Sequence, residues 1–293
     1  MKEIVVISGK GGTGKTSLTA SFAVLGGRDV IVADCDVDAA DMHMLLGPDF
    51  EAAENFYSGV IAEIDQEACI QCGKCADICR FDAIPVIDGK NIVQPLDCEG
   101  CSYCARICPV DAIEMAEQNV GDWYISTIKT GSTMVHAKLG IGAENSGKLV
   151  TKVKNKAKRI AEEQQKELVL VDGSPGIGCP VVSSLSGASF VVLVTEPTVS
   201  GLHDLKRVYQ LVNKFGIKAG CIINKADLNP DVNQQIREFL KDNAIEHISE
   251  LPYDESFTEA MTQGKTIIEF NDGELQKMVR QSWVTIKDFV NVL

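Results

Sequence analysis

The sequence lacks the features that would assign it to a membrane or to nucleic acid. No apolar run approaches the ~20 residues that a helix needs to span a bilayer. The apolar run at residues 4–7 is too short for a signal peptide. We therefore expect a cytoplasmic protein without stable membrane insertion. An excess of positive charge is also missing, since 28 Lys and Arg stand against 41 Asp and Glu. The net charge of −13 leads us to expect no nucleic-acid partner.

Cysteine, in contrast, is abundant. The 293 residues include 11 cysteines. In a reducing compartment, such a number indicates metal binding or catalysis rather than disulfides. Eight of the cysteines fall in one short region, which favours metal binding.

A glycine-rich loop follows the first apolar run. Residues 9–16 read Gly-Lys-Gly-Gly-Thr-Gly-Lys-Thr, between a predicted buried strand and a predicted helix. This is the setting of a phosphate-binding P-loop, in which backbone N–H groups surround phosphate oxygens at a helix N-terminus. We expect Lys15 to reach the β- and γ-phosphates and Thr16 to place its hydroxyl on Mg²⁺. The predicted nucleotide-binding set is Gly9, Gly11, Gly12, Thr13, Gly14, Lys15, Thr16 and Ser17.

The same glycines also fit a dinucleotide-binding fingerprint. Gly9, Gly11 and Gly14 spell G-x-G-x-x-G, and Asp34 lies 20 residues beyond Gly14. The Lys15-Thr16 pair decides against this alternative, because a P-loop needs that pair and a dinucleotide-binding turn does not.

Lys10 adds a more specific signal. With it the loop reads K-G-G-T-G-K-T, which resembles the deviant P-loop of the MinD/ParA ATPases. That superfamily includes the nitrogenase iron protein and the Mrp-type iron–sulfur carriers. The resemblance implies that Lys10 crosses a dimer interface to the partner's nucleotide, and that ATP closes a homodimer.

Two acids follow predicted buried strands. Asp36 lies in a D-x-D stretch that resembles the family's switch I, and the resemblance implies that it orients the attacking water. Asp172 ends the run 168–172 and matches the Walker B position, which implies a contact with Mg²⁺ through water. Because buried strand patterns alternate with helical patterns, we expect a doubly wound, mostly parallel α/β sheet.

The predicted base-binding side fits two different motifs. Asn224 resembles the position at which the family contacts adenine, and residues 251–254, with Pro252, are predicted to form the last strand and its base-side loop. Asn224-Lys225-Ala226-Asp227 also fits the N-K-x-D guanine motif of small GTPases. ATP and GTP therefore both stay open, with the K-G-G-T-G-K-T loop favouring ATP.

The eight clustered cysteines form two runs of identical spacing. Each run has the spacing C-x₂-C-x₂-C-x₃-C, and the second, which ends in Cys108-Pro109, repeats the first 29 residues later. This is the bacterial ferredoxin pattern for two [4Fe–4S] clusters, in which each fourth cysteine binds the other cluster. One predicted ligand set is Cys69, Cys72, Cys75 and Cys108, and the other is Cys98, Cys101, Cys104 and Cys79. The alternative is a pair of zinc sites, which would not need this spacing in both runs.

The cysteine runs define a second predicted domain. We expect a small α+β bacterial-ferredoxin-like domain at residues 63–117, inserted in a P-loop ATPase domain made of residues 1–62 and 118–293. Other cysteines are expected to be structural: Cys35 and Cys221 in strands, and Cys179, at the end of the loop after Asp172, as a buried residue. The alternative for Cys179, implied by the resemblance to the nitrogenase iron protein, is a ligand to a cluster shared between two subunits. The basic run at residues 152–159 is predicted to lie on a solvated helix, and the amphipathic C-terminal stretch to pack on the sheet.

These patterns predict an ATP-hydrolysing protein with catalytic residues Lys10, Lys15, Asp36 and Asp172. Its predicted cofactors are ATP or ADP, Mg²⁺ and two [4Fe–4S] clusters, and its predicted partners are a second copy of itself and a redox or client protein. In the leading hypothesis, dimer closure is coupled to electron transfer. Two alternatives stay open: an assembly or carrier ATPase for metal clusters, and a redox-sensing positioning switch of the MinD/ParA sort.

Overall fold

The computed structural model describes residues 1–140 and 145–291. The chain forms two compact units. The second unit comprises Asn55–Gly121 together with Gly140 and Asn145, and the first comprises the described residues on either side. These boundaries differ from the predicted 63–117, because a long strand runs through each predicted boundary. The strand Ala52–Ile64 contains residue 63, and the strand Ile113–Thr127 contains residue 117. The change in composition near the first cysteine therefore does not coincide with the edge of the unit.

Helices and strands alternate through most of the chain. In chain order the elements are β1 (Lys2–Ile7), α1 (Lys15–Gly26), a 3₁₀ turn (Gly27–Asp29), β2 (Val30–Asp34), α2 (Met42–Leu46), β3 (Ala52–Ile64), α3 (Lys74–Ile78), β4 (Val86–Ile87), β5 (Lys90–Asn91), α4 (Tyr103–Ile107), β6 (Ile113–Thr127), β7 (Thr133–Leu139), α5 (Ser146–Glu163), β8 (Leu168–Asp172), α6 (Cys179–Leu185), β9 (Phe190–Thr195), α7 (Val199–Lys214), β10 (Ala219–Ile223), α8 (Pro230–Asp242), β11 (Glu246–Glu250), α9 (Ser256–Thr262), α10 (Ile267–Phe270) and α11 (Glu274–Val290).

The main sheet is mostly parallel, as predicted. Its strand order is β11-β10-β9-β1-β8-β2-β7-β6-β3. Every ladder from β11 to β7 is parallel. Strands buried on both faces read as continuous apolar runs, and β1, β2, β8, β9 and β10 have this pattern.

Helices cover both faces of this sheet. Ile4 and Val6 of β1 share one apolar cluster with Phe22 of α1 and Trp283 of α11. The rings of Phe22 and Trp283 stack with centroids 5.4 Å apart. On the other face α5 packs against β2, β7 and β8, and α6 contacts β1. The sheet is therefore doubly wound.

The strand register gathers several polar residues at one edge of the sheet. Asp172 at the end of β8 pairs with Val6 of β1 and with Asp34 of β2. Thr195 at the end of β9 pairs with Ile223 of β10. Because all these strands are parallel, their carboxyl ends meet at the same edge, where a ligand site is expected in such sheets.

The last strand ends earlier than predicted. β11 ends at Glu250, and residues 251–254 follow it as a loop. Leu251 still donates its backbone N–H to the Ile223 carbonyl at 2.9 Å. Pro252 has no N–H to continue such a ladder, which is the physical reason for the correction.

The C-terminal stretch packs on the sheet as predicted. α11 buries Leu275, Val279, Trp283, Ile286 and Val290. Across residues 1–140 and 145–291, no helix is long and apolar enough to cross a membrane.

The second unit has an internal repeat in its structure. The short helices α3 and α4 are each preceded by a residue in the left-handed region, Gly73 (φ 76°) and Ser102 (φ 62°). Between them β4 and β5 form an antiparallel hairpin around Asp88 and Gly89, both with positive φ. An Asp-Gly turn of this kind matches the twist of a tight hairpin.

Candidate functional site

The glycine loop between β1 and α1 depends on its glycines. Gly12 (φ 79°) and Gly14 (φ 88°) lie in the left-handed region. A Cβ atom on Gly14 would lie 2.5 Å from the Asn224 side-chain nitrogen, and one on Gly9 would lie 2.5 Å from Asp204 Cβ. Neither contact is sterically possible without movement. The glycines therefore let the loop approach the chain segments beside it.

Lys15 lies at the centre of a charge cluster. Its Nζ is 2.9 Å from Asp172 Oδ2 and 3.3 Å from Asp36 Oδ2, and the residue is almost fully buried. Burial alone would lower the pKa of Lys15, but Asp172 and Asp36 raise it above its ordinary value. The structure thus brings together the predicted lysine and both predicted acids, and the lysine stays charged.

Two hydroxyls fix the carboxylate of Asp172. Thr16 Oγ1 donates to Asp172 Oδ2, and Thr19 Oγ1 donates to Asp172 Oδ1, each at 2.8 Å. Asp172 is completely buried. Its orientation is therefore set from both sides by α1, one turn of which carries Lys15, Thr16 and Thr19.

Asp34 is a buried acid beside this cluster. Its Oδ1 accepts the Asp36 backbone N–H at 3.1 Å, whereas its buried Oδ2 has no hydrogen-bond partner. Burial, reinforced by the charge of Asp172, raises the pKa of Asp34 well above its ordinary value. Burial likewise raises the pKa of Asp36, although Lys15 opposes the shift.

The donor set here is of the type that Mg²⁺ takes. A threonine hydroxyl (Thr16) and carboxylates (Asp172, Asp36) are hard oxygen ligands. Asp34 adds a buried oxygen that lacks a partner. By composition these residues fit a magnesium site that a nucleotide would complete. Within residues 1–140 and 145–291, no three or more His, Cys, Asp or Glu side chains are by themselves arranged to hold a metal ion. This applies both to the three aspartates here and to the cysteine runs, so neither group is a preformed single-ion site.

Lys10 is bound to its own chain. Its Nζ lies 2.7 Å from Glu196 Oε1 and donates to Thr198 Oγ1 at 3.3 Å and Ser200 Oγ at 3.1 Å. The other oxygen of Glu196 lies 2.8 Å from Lys225 Nζ. One carboxylate after β9 thus joins two lysines beside the glycine loop.

A hollow continues from the glycine loop toward residues 252–261. It is lined by Gly12, Gly14, Ser17, Asn224, Lys225, Pro252, Tyr253, Asp254, Phe257, Thr258 and Met261. The Asn224 side-chain nitrogen donates to the Thr13 carbonyl at 2.8 Å, and its side-chain oxygen accepts the Lys225 N–H. Asn224 therefore borders the hollow while its amide holds the glycine loop in place.

Asp227 lies outside that hollow. It lines a separate surface depression with Asn233, Arg237 and Glu250. Its Oδ1 accepts the Tyr253 backbone N–H at 2.6 Å. In an N-K-x-D guanine site, this acid would have to face the base, whereas here it fixes the loop that carries Tyr253.

The cysteine runs of the second unit have matching local geometry. Cys79 Sγ accepts the Ala83 N–H at 3.4 Å, and Cys108 Sγ accepts the Ala112 N–H at 3.3 Å. Burial follows the repeat as well. In each run the first and fourth cysteines are half-buried, the second is exposed and the third is buried. Burial, with the neighbouring cysteines of the same run, raises the pKa of Cys75 and of Cys104.

One cavity collects a whole predicted ligand set. Cys98, Cys101 and Cys104 border it together with Cys79, which comes from the other run. The remaining lining residues include Ile78, Phe81, Ile84, Tyr103 and Met115. A single zinc ion would hold its thiolates ~2.3 Å from one point. The cysteines of a four-iron cluster instead bind separate irons around a larger body.

Cys35 and Cys221 are buried as predicted, but Cys179 is exposed, so its prediction as a buried residue is wrong. Cys179 begins α6 at the end of a glycine-containing loop, and the apolar face of that short helix starts only at Val181. In the basic run, Lys154 is buried against Glu3 at 2.8 Å rather than solvated.

Sequence reasoning missed Thr19 and Glu196. Thr19 follows Lys15 by four residues, so helical spacing puts both on one face of α1, and this signal was available. Glu196 pairs with residues 186 and 29 positions away. Its only local signal is its place directly after a buried strand.

A strand, a glycine loop and a helix, with a buried aspartate on a neighbouring parallel strand, define a P-loop nucleotide-binding protein. The comparisons with known proteins narrow this class. The model of the CobQ/CobB/MinD/ParA nucleotide-binding domain matches residues 4–267, and the chain belongs to that family.

Relatives of this chain include archaeal and cyanobacterial proteins. An uncharacterized protein of Methanocaldococcus jannaschii is 33% identical, with 98% of this chain and 97% of that protein covered. The septum site-determining protein MinD of Synechocystis sp. is 25% identical, with 90% and 81% covered. Among solved structures, MinD of Pyrococcus horikoshii complexed with Mg-ADP has a TM-score of 0.59 at 18% identity, with 99% and 97% covered. This last likeness supports the fold.

Proposed function

We propose that the protein hydrolyses MgATP and carries two [4Fe–4S] clusters, and that nucleotide-driven dimer closure is coupled to electron transfer to a partner protein. The observation that carries the proposal is the cavity bordered by Cys79, Cys98, Cys101 and Cys104. The predicted fourth ligand comes from the other run and borders the same cavity. This arrangement lies in a chain that also has a P-loop with its lysine and aspartate in contact.

The nucleotide-site residues have the chemistry that phosphoryl transfer to water requires. Lys15 supplies a fixed positive charge for the transferred phosphoryl group, and Thr16 with Asp172 would hold Mg²⁺, which neutralises charge on the phosphates. Asp36 is the acid that we assign to orienting the attacking water, because it contacts Lys15 and lies just after β2. The Lys15–Asp172 contact must open for a phosphate to reach the lysine.

We assign ATP rather than GTP as the nucleotide. Asp227 is held by the Tyr253 backbone and does not line the hollow beside the glycine loop. Pro252, Tyr253, Phe257 and Met261 give that hollow an apolar wall. Such a wall suits a purine ring without requiring an acid that reads guanine.

The two cluster sites would be Cys98, Cys101, Cys104 and Cys79 for one, and Cys69, Cys72, Cys75 and Cys108 for the other. Thiolates are the ligands that four-iron clusters take, and when bound the clusters supply one-electron transfer. The matched burial of the two runs supports treating both as sites of the same kind. Because so many cysteines without a disulfide among the described residues indicate reducing conditions, we infer a cytoplasmic location.

Dimer closure is assigned to Lys10. It follows the first glycine of the loop and is partly exposed, with 28% of its side chain accessible. A second copy could therefore present a nucleotide to it. In this proposal ATP links two copies through Lys10, and ADP does not.

The second candidate function is a cluster assembly or carrier ATPase, and the exposure of Cys179 favours it. A carrier needs a labile, accessible ligand, whereas the eight cysteines of the second unit would hold their clusters firmly. Changing Cys179 to Ser should abolish cluster delivery to an apo-acceptor if this function is correct. If the first proposed function, electron transfer coupled to ATP, is correct, the same change should leave electron transfer intact.

The proposed function is tested by the cluster content of ligand variants. We expect anaerobically reconstituted wild type to hold about eight iron atoms per chain. The Cys101→Ser variant should lose about half of them, with the Cys179→Ser variant as the matched control that keeps all. Full-length protein that holds no iron or labile sulfide would overturn the proposal, and zinc in place of iron would select the alternative metal.

A further inference from the structure

Lys10 has its hydrogen-bonding capacity filled within its own chain. A lysine ammonium has three N–H donors, and three acceptors surround it: Glu196 Oε1 at 2.7 Å, Ser200 Oγ at 3.1 Å and Thr198 Oγ1 at 3.3 Å. Thr198 also caps α7 by accepting the Gly201 N–H. Two of the three acceptors, Thr198 and Ser200, thus belong to the start of α7.

Glu196 is itself held by a second lysine. Its Oε2 lies 2.8 Å from Lys225 Nζ, which also donates to the Gly12 carbonyl at 3.1 Å. Only 10% of the Glu196 side chain is exposed. Burial alone would raise the pKa of Glu196, but the hydrogen bonds from Lys10 and Lys225 bring it below its ordinary value. The carboxylate is therefore charged at neutral pH.

We propose that Glu196 is a positioning residue that holds Lys10 on its own subunit until a nucleoside triphosphate competes for the ammonium group. We call this Lys10–Glu196 contact the latch. The latch sets how much ATP and protein are needed for dimer closure. This inference rests on the proposed role of Lys10 in the dimer. It adds to that role a specific residue, Glu196, that opposes closure in the free protein.

The two-lysine arrangement makes the exchange feasible. If Lys10 leaves, Glu196 keeps its contact with Lys225, so no buried carboxylate is left without a partner. An unpaired buried charge would be strongly unfavourable. A triphosphate carries several negative charges and can replace the one carboxylate that Lys10 gives up. Glu196 can therefore hold Lys10 in the free protein and release it when a triphosphate binds.

The latch itself is tested in the nucleotide-free protein. We would measure the rate at which Lys10 is acetylated, using mass spectrometry to resolve that residue, in wild type and in the Glu196→Gln variant. Loss of the charged acceptor should raise the rate about 5-fold, because a partly exposed ion pair contributes roughly 1 kcal/mol. Glu163→Gln, which removes an acid from the exposed pair with Arg159, is the matched control and should change nothing at Lys10. Equal Lys10 rates in wild type and Glu196→Gln would overturn the latch.

Its effect on closure is tested by sedimentation with a slowly hydrolysed ATP analogue. Because both subunits must release Lys10 when the dimer closes, the 5-fold factor applies twice, and Glu196→Gln should form dimers at about 25-fold lower protein concentration than wild type. Ser200→Ala, which removes one uncharged acceptor, should shift the curve less in the same direction. If wild type dimerises and Glu196→Gln gives the same dimerisation curve as wild type, the latch is overturned while the proposed function stands. A wild type that binds ATP without dimerising contradicts the proposed dimer, and the latch with it.

Discussion

The two units of this protein differ in how their centres are stabilised. The first has an apolar core that extends from Ile4 of β1 to Val290 of α11, and its charged site is already paired through Lys15 and Asp172. In the part of the second unit that the structure describes, one small hydrophobic cluster has four buried members, Ala62, Ile84, Cys75 and Cys104, and partly buried residues pack against it. Two of these four buried members are cysteines. A unit of this size rarely folds on such a core without a metal or other cross-link.

This difference indicates two kinds of dependence on ligands. The first unit should fold without its nucleotide, because Lys15 and Asp172 are already paired in the free protein. Nucleotide binding would then exchange such contacts for contacts with phosphate. The second unit should depend on whatever its cysteines bind, because ligand binding there supplies folding free energy.

If the cysteines hold clusters as proposed, removing the clusters should unfold the second unit alone. We expect hydrogen exchange after anaerobic chelation to show loss of protection through residues 55–121, while β1, α1 and β8 remain protected. A Cys75→Ser, Cys104→Ser double variant should behave in the same way without chelation, and Cys179→Ser should not. Full protection of residues 55–121 in metal-free protein would show that the second unit folds without a bound group, as the first unit does.

Replacing Lys15 with Ala should damage only the first unit. Asp172 and Asp36 lose their cationic partner, so we expect the free energy of unfolding to fall by about 3 kcal/mol. ATP hydrolysis should fall roughly 100-fold or more, because the charge that stabilises the transferred phosphoryl group is gone. Lys241→Ala, an exposed change on α8, is the control. The iron content of both variants should equal that of wild type.

Mild acid should weaken the first unit through His136. This ring is buried, lies 2.9 Å from Ser126 Oγ and stacks on Tyr124. Burial, aided by His43 and opposed by Asp49, lowers its pKa from 6.5 to about 4. The unfolded chain therefore takes up this proton first, and stability falls as the pH drops from 6.5 toward 4. At pH 5 the loss should be about 2 kcal/mol relative to neutral pH.

Urea unfolding followed by tryptophan emission measures this effect selectively. Both tryptophans, Trp123 and Trp283, lie in the first unit, and residues 55–121 contain no histidine. His136→Gln should reduce the difference in the free energy of unfolding between pH 7 and pH 5. The exposed change His203→Gln should leave that difference as in wild type. An acid loss of equal size in His136→Gln would mean that another group is responsible.

The smallest expected effect concerns Thr19. Its hydroxyl donates to Asp172 Oδ1 and is also 2.9 Å from the Lys15 carbonyl. Thr19→Val should lower the free energy of unfolding by about 1 kcal/mol and slow ATP hydrolysis a few-fold. Thr285→Val removes a hydroxyl that bonds only within α11 and should leave hydrolysis unchanged. Equal rates in the two variants would show that Thr19 does not position Asp172.

The sequence predicted the features that depend on contiguous residues. The P-loop is encoded by eight adjacent residues, so its strand, loop and helix could be placed directly. The parallel sheet followed from apolar runs that end in polar residues. The spacing of the two cysteine runs likewise indicated a repeat, and the structure has matching helices and matching bonds at Cys79 and Cys108.

Features that depend on distant pairings could not be read in this way. Glu196 contacts Lys10 across 186 positions of the chain, and no local pattern encodes that pair. The burial of Lys154 likewise requires Glu3 at the other end of the chain. Cys179 was misjudged because burial is decided by what a loop packs against. The unit boundaries differ because β3 and β6 extend further than the composition indicates.

The central claim is that nucleotide state and cluster state are coupled in one chain. Its most direct test is anaerobic electron paramagnetic resonance of the reduced, reconstituted protein, with and without MgATP. We expect two reduced [4Fe–4S] signals, at least one of which shifts in line shape or midpoint potential when MgATP binds. Two signals that ignore MgATP would contradict the coupling, and the absence of any iron–sulfur signal would contradict the cluster assignment itself.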